Sequence, residues 1–246
     1  MNDFHGRLAG LARLAPEKDA RQIDTAMAGM RGAIEDGADA RKRYRHAPRF
    51  APAGQSTQMI VGADDANDKQ VMAKASLLYG QHALRRVYYS AFSPIPDASA
   101  VLPLRRPPLL REHRLYQADW LIRFYGYSTT EVAQATDMTG MLPLDIDPKL
   151  AFALGRRELF PVDVNRAPRE QLLRVPGLGL RAIDNIISSR RWRRLRIEDV
   201  ARLTNAIAKI RPFIQAEGWS PIALADRADI SAWVKPKHEQ LELFAG

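Results

Sequence analysis

The sequence predicts a mixed α/β chain that is mostly helical, and two patterns carry this prediction. First, a short apolar run, a segment of helical periodicity and a second apolar run follow one another between residues 58 and 92. This alternation is typical of a strand, a helix and a parallel strand. Second, two amphipathic segments between residues 164 and 187 flank a turn with two glycines. We therefore expect an incomplete parallel βα layer and a C-terminal helical domain.

The first pattern lies in residues 46–105, after a helical N-terminal segment (residues 1–45) with a loose glycine-containing stretch. Strands are predicted at residues 58–62, as a buried strand ended by glycine, and at residues 86–92, with a helix between them. A crossover of this length implies a right-handed parallel unit. Two strands are too few for an independent sheet, so another segment or another chain is needed to complete it.

Residues 106–155 are predicted to be a helical connector, with a long helix over residues 109–125 and shorter helices after it. Asp145 and Asp147 precede Pro148, and this pattern favours a turn and a helix cap over a metal site. Residues 156–217 form the next predicted domain, and residues 218–246 are expected to be an irregular tail. Within residues 156–217, a second helical pair is expected at residues 197–203 and 207–216, and its connector has no glycine.

The second pattern predicts a helix, a tight turn and another helix. Asn165 is a suitable N-cap for the first helix. Leu178 stands between Gly177 and Gly179 and is expected to point into the core, while the glycines allow positive φ and close approach by another backbone. The free N–H groups of the second helix then favour a bound phosphate. The alternative is a glycine C-cap between two ordinary packed helices.

Positive charge is concentrated around this turn. Residues 156–196 contain eleven Arg and four acidic residues, a net charge of +7, whereas the whole chain carries +9. A basic run from Arg190 to Arg196 directly follows the second helix, and arginine forks onto phosphate oxygens better than lysine. Such a stripe beside a phosphate-binding turn indicates a nucleic-acid site, with a solvated surface as the alternative. Trp192 within the run is expected to be a core anchor, with base stacking as the second interpretation.

Composition excludes several classes of protein. The chain has no cysteine, which removes disulfides, thiol nucleophiles, zinc fingers and ordinary iron–sulfur ligation from it. Its apolar runs are far shorter than the roughly 18 residues that span a bilayer, and the N-terminus lacks a secretory pattern, so we expect a cytoplasmic protein with no membrane partner. The sequence pI near 10.0 predicts an acidic partner, which is nucleic acid.

Residues 164–187 resemble the helix-hairpin-helix motif of sequence-independent DNA-binding proteins, through the Glu-x-Leu-Leu segment, Val-Pro-Gly-Leu-Gly and the Ala-Ile and Ile-Ile pairs that follow. In that family the hairpin amides hold a backbone phosphate, often beside a monovalent cation. The resemblance implies contacts at the turn, and the charge adds the basic run. The predicted DNA-binding residues are Gly177, Leu178, Gly179, Leu180, Arg181, Arg190, Arg191, Arg193 and Arg194.

Residues 49–63, 86–94, 107–121 and 160–167 look like the C-terminal part of the radical S-adenosylmethionine proteins of DNA modification and repair. That family joins a βα barrel to a helix-hairpin-helix tail and is associated with a uracil-DNA-glycosylase-like partner. The resemblance covers about residues 10–216. It implies a partial barrel here, and S-adenosylmethionine and a 4Fe–4S cluster in the full-length family. It also implies cofactor contacts at Gln58, Gly62 and Ser90 or Ser93 when the missing half is supplied, with ordinary buried strands as the alternative.

The chain departs from this family in one respect, because the family holds its cluster on three cysteines and this sequence has none. The expected function is therefore sequence-independent DNA binding, as the C-terminal part of such an enzyme without its iron–sulfur half. That half would be a separate cluster-binding partner, and this chain alone would not be catalytic. The alternatives are a non-catalytic DNA-binding or scaffolding protein that has lost the radical chemistry, and a module whose hairpin binds protein.

Overall fold

The computed structural model of the chain describes residues 19–94 and 102–223. The fold is mixed α/β and about half helical, with two short parallel strand pairs, and the described residues contain no closed barrel. Two compact units divide the chain, Met1–Tyr116 and Gln117–Gly246. The predicted tail is described only to residue 223, and the first 18 residues of the predicted N-terminal segment lie outside the described ranges.

The first unit begins with a long helix, α1 (Ala20–Arg43). The side chain of Asp19 caps it by accepting a hydrogen bond from the N–H of Arg21, at 2.8 Å. Three basic residues occupy its last turn, where they interact favourably with the negative end of the helix dipole. The prediction of a loose stretch in this segment is wrong, because the helix runs through all three of its glycines without interruption.

The predicted strand, helix and parallel strand are confirmed as β1 (Ser56–Val61), α2 (Asp68–His82) and β2 (Arg86–Ala91). Asn67 and Gln70 form a capping box that begins α2. The expectation that β1 is a buried strand is wrong, because its side chains alternate between exposed and partly buried until Val61. One face of the strand pair is therefore exposed.

A long helix, α3 (Leu109–Tyr125), has the predicted bounds. In the first unit its Arg111 forms a buried ion pair with Asp68, with 2.7 Å between Nε and Oδ1. Its Glu112 accepts a hydrogen bond from the N–H of Ala91 at the end of β2. These two bonds position the start of α3 against α2 and β2.

The second unit continues with short helices and one more strand pair. Ser128 caps the first short helix with a capping box, and Asp147 caps the next, the latter as predicted. The elements are α4 (Thr129–Ala133), α5 (Pro148–Gly155), β3 (Val162–Asp163), α6 (Arg169–Arg174), α7 (Leu180–Ser189), α8 (Ile197–Leu203), α9 (Ile207–Ile210) and β4 (Ile214–Gln215).

The parallel pair β3–β4 brings the two ends of the predicted 156–217 domain together. The second helix of its second helical pair was expected to run from residue 207 to 216, and this bound is wrong. Helix α9 ends at Ile210 and a 3₁₀ turn, Arg211–Phe213, follows. Pro212 lacks the N–H that a continuing α-helix requires, so the chain leaves the helix there and enters β4. Phe213 and Ile214 are fully buried after the change of direction.

Among the described helices, none is both long and apolar enough to cross a membrane.

Candidate nucleic-acid interface

The two helices predicted around the glycine turn are α6 and α7, joined by residues 175–179; we call residues 169–189 the hairpin. Leu172 on α6 and Ile183 on α7 are fully buried. Leu178, between the two glycines, is only 1% exposed, which confirms that it points into the core. The turn is therefore fixed from the inside by an aliphatic side chain.

Asn165 does not cap the hairpin, contrary to the prediction. Helix α6 begins after Pro168 and has no side-chain cap. The Asn165 side chain instead bonds both backbone groups of Leu195: Oδ1 accepts from its N–H at 2.7 Å, and Nδ2 donates to its carbonyl at 3.0 Å. The residue ties the segment before the hairpin to the segment after it.

The two glycines of the turn serve different purposes. Gly177 has φ +84°, and a Cβ there would lie 3.0 Å from Cγ1 of Ile210. The fold itself therefore requires glycine at this position. Gly179 has an ordinary extended backbone (φ −85°, ψ 162°), and a Cβ there would meet no atom within 4 Å. Nothing inside the described residues requires Gly179 to lack a side chain, and its Cα faces open space.

The N-terminus of α7 opens at Gly179, which is its N-cap and offers no side-chain cap. The first N–H groups of a helix have no acceptor within the helix. Burial raises the pKa of Tyr125, and the N–H of Leu180, one of these first groups, opposes that rise from beside the hydroxyl. Gly179 and Arg181 are both exposed, so we expect their N–H groups to be accessible to an outside acceptor.

A buried lysine that the sequence analysis did not identify bonds the turn from the protein interior. Lys149 on α5 is 8% exposed, and its Nζ donates to the carbonyl of Leu178 at 2.7 Å. The ammonium lies 4.4 Å from the ring centroid of Tyr125. Burial lowers the pKa of Lys149 to about 7, although the Asp147 carboxylate opposes this. The sequence signal was a single lysine within the otherwise apolar segment of α5.

The predicted arginines separate into two groups. The guanidinium of Arg190 folds back, and its Nη1 donates to the carbonyls of Val164 at 3.0 Å and Ala167 at 2.7 Å. Arg190 therefore closes the C-terminal end of α7 onto the segment before α6. The remaining predicted arginines are exposed, and Arg193 among them pairs with a carboxylate, Asp199, at 2.6 Å. The exposed set is Arg181, Arg191, Arg193 and Arg194.

Trp192 is not a core anchor, contrary to the prediction. Its side chain is 89% exposed. The core position near the basic run is filled by Leu195 instead, which is 1% exposed. We call residues 191–194, which are all exposed, the arginine loop.

The residues expected to contact S-adenosylmethionine have other partners. Nε2 of Gln58 donates to Oγ of Ser90 at 2.6 Å, so these two polar groups satisfy each other. Gly62 has φ +80°, and a Cβ there would lie 2.7 Å from Cγ of Pro107. These contacts give each of the three residues a structural role within the first unit. In the part of the chain that the structure describes, no three His, Asp or Glu residues are grouped as metal ligands.

Comparison with known proteins gives no match: no family model, no curated protein and no solved structure matches the sequence. Function is therefore inferred from the residues and their geometry.

Proposed function

We propose that this protein binds duplex or branched DNA through backbone phosphates without reading the base sequence, and that the hairpin is a helix-hairpin-helix motif. The observation that carries the proposal is Gly179. It is exposed, it begins an uncapped ten-residue helix, and its backbone conformation does not require glycine. A missing side chain at such a position allows a phosphate to reach the N–H groups of Gly179 and Arg181.

Charge supports the same proposal. The positive end of the α7 dipole favours an anion at Gly179. The exposed side chain of Arg181 belongs to the first turn of the same helix. The arginine loop at the other end of α7 adds three more guanidinium groups. Contacts of this kind go to phosphate oxygens and carry no base information, which is why we propose binding without sequence preference.

The structure suggests different roles for the predicted contact residues. Arg190 and Leu178 act as positioning residues, because their side chains are used inside the protein, and Lys149, which was not among the predicted contacts, does the same. The N–H of Leu180 likewise lies beside the hydroxyl of Tyr125. We assign the phosphate contacts to Gly179, Arg181, Arg191, Arg193 and Arg194, with Gly177 shaping the turn.

In the wider proposal, the chain is the DNA-binding C-terminal part of a radical S-adenosylmethionine protein of DNA modification or repair. The parallel pair β1–β2 with its α2 crossover supports this, since a partial βα layer is what that family would contribute. Cluster ligation must come from another polypeptide segment or partner, because this chain has no cysteine. A uracil-DNA-glycosylase-like protein is a further proposed partner.

A second candidate is a DNA-binding or scaffolding protein without catalysis. The hydrogen bond between Gln58 and Ser90 favours it, because it gives both side chains a partner within the protein. Co-purification with a cysteine-containing barrel protein would support the enzyme, and stable DNA binding without one would support the scaffold.

Removing the charge of the arginine loop tests the proposal. The triple variant R191A/R193A/R194A is expected to bind a labelled duplex of about 30 base pairs more weakly and with a flatter salt dependence. Each lost phosphate contact reduces the slope of log K against log salt by about 0.9, so the slope should fall by about 2 to 3 between roughly 50 and 200 mM KCl. Fluorescence anisotropy measures both quantities.

The matched control is R43A/R45A/R49A, which removes the same charge from exposed positions in the first unit. Its salt slope should stay within about 1 of the wild-type value. Equal losses in the two triple variants would mean that net charge alone attracts DNA, and this would contradict an interface at the hairpin.

A further inference from the structure

The arginine loop is held rigidly at both of its ends. At the first end, Arg190 donates to two backbone carbonyls of the segment before α6. At the second end, the backbone of Leu195 bonds the Asn165 side chain twice, and its carbonyl also accepts from the N–H of Glu217 at 3.0 Å. The four residues between these anchors are exposed. The loop is therefore preorganised to project its side chains into solvent.

The arginine loop contains a tryptophan, whose apolar ring is unfavourable in free energy when it is exposed to water. The 89% exposed indole of Trp192 has arginines on both sides in the sequence. Internal packing does not explain its identity, because Leu195 and Arg190 already anchor the segment. Guanidinium groups attract the phosphates of a strand, and an indole face stacks on any unpaired base. The combination fits a nucleic-acid strand whose bases are exposed.

We propose that Trp192 stacks on an unpaired base and directs this protein to DNA with a single-stranded segment beside duplex, such as a gap, a bulge or a flap. This inference rests on the proposed function, since the hairpin supplies the phosphate contact that places the loop on DNA. Helix α7 has ten residues and separates Gly179 from the loop by about 15 Å. That length equals the rise of about four to five base pairs, so the unpaired base lies within this distance of the bound phosphate.

The test compares three labelled DNAs under the same salt: an intact duplex, the same duplex with a three-nucleotide thymine gap, and the single strand. The intact chain is expected to bind the gapped duplex about tenfold more tightly than the intact duplex, from stacking of one base. W192A should lose this preference and keep the intact-duplex affinity and salt slope, because no charge is removed. W192F should retain most of the preference.

Two controls separate base stacking by Trp192 from the effect of losing any exposed tryptophan. W120A removes another exposed tryptophan of the second unit, and it should bind all three DNAs as the wild type does. Tryptophan fluorescence should be quenched by the gapped duplex in the wild type and much less in W192F.

Several outcomes would overturn the inference while the proposed function stands: equal wild-type affinity for gapped and intact duplex, or W192A losing affinity for both equally. W192A matching the wild type on every DNA would overturn it equally, because the indole would then contribute nothing to the preference for gapped DNA. Failure of the wild type to bind any of the three DNAs at low salt would instead contradict the proposed function itself.

Discussion

Gly179→Val is expected to abolish most duplex binding and to leave the fold intact. The added side chain would occupy the space through which a phosphate reaches the N–H groups of Gly179 and Arg181. Loss of two hydrogen bonds to a charged oxygen should lower the affinity on the order of 100-fold. The measurement is anisotropy with a labelled duplex, beside chemical denaturation of the free protein.

The fold should tolerate Gly179→Val, because the backbone angles and the surroundings of Gly179 accept a side chain. The φ and ψ angles of Gly179 suit any residue, and a Cβ there meets no atom within 4 Å. Replacing an N-cap glycine by valine costs about 1 kcal/mol at most. Gly80→Val is the matched control, because Gly80 on α2 also faces open space. Wild-type affinity in Gly179→Val would contradict the assignment of the site.

Gly177→Ala should behave differently from Gly179→Val, and the contrast separates folding from binding. At φ +84° a side chain is strained, and its Cβ would press on Ile210. Weaker binding in this variant would therefore accompany a lower free energy of unfolding. Weaker binding by Gly177→Ala therefore does not demonstrate a phosphate contact, and Gly179 is the better position to test.

Arg174→Ala is expected to cause the largest loss of stability among single substitutions around the hairpin, about 2 to 4 kcal/mol. The guanidinium forms two hydrogen bonds to Glu131, each of 2.9 Å. It also donates to the carbonyls of Gly126 at 3.0 Å and Tyr125 at 3.3 Å, and it lies 4.5 Å from the ring centroid of Tyr127. One side chain thus joins α6 to the connection between α3 and α4.

Denaturant unfolding monitored by tryptophan fluorescence measures this loss in the second unit, since all four tryptophans follow residue 117. Arg169→Ala is the matched control from the same helix. Its ion pair with Asp184 is exposed on both sides, so the loss should be under about 1 kcal/mol. Equal losses in the two variants would contradict a special role for Arg174.

The contribution of the Arg174–Glu131 pair should also depend on pH. Burial raises the pKa of Glu131, but the Ser128 N–H and the Arg174 guanidinium outweigh it and hold the pKa below its ordinary value. The unfolded state then takes up protons at a higher pH than the folded state does. The stabilisation is therefore complete above the ordinary carboxyl pKa and is lost as the pH falls through the lowered one. The difference between wild type and Arg174→Ala should shrink over that interval.

The sequence predicted the hairpin well because its signals are local. Two glycines around an aliphatic residue and apolar residues at helical spacing specify a turn between two helices, and Leu178 is buried as expected. The parallel pair β1–β2 was also predictable, since a strand, a helix and a strand follow one another directly.

At the candidate site, the sequence did not predict where long side chains would find their partners. Arg190 and Trp192 belong to one basic run, yet Arg190 folds back onto two carbonyls and Trp192 is exposed. Asn165 bonds to a residue 30 positions later in place of capping the next helix. Lys149 could not be connected with Leu178 from the sequence, because their contact depends on how α5 packs beneath the turn.

The central claim is that the amides at the start of α7 hold a DNA phosphate. Amide chemical shifts measured during titration with a short duplex test it most directly. The N–H signals of Gly179 and Arg181 are expected to move downfield with saturation, while that of Leu180, which lies beside the Tyr125 hydroxyl, moves less. Shifts confined to the first unit, or unchanged Gly179 and Arg181 signals at saturating DNA, would contradict the claim.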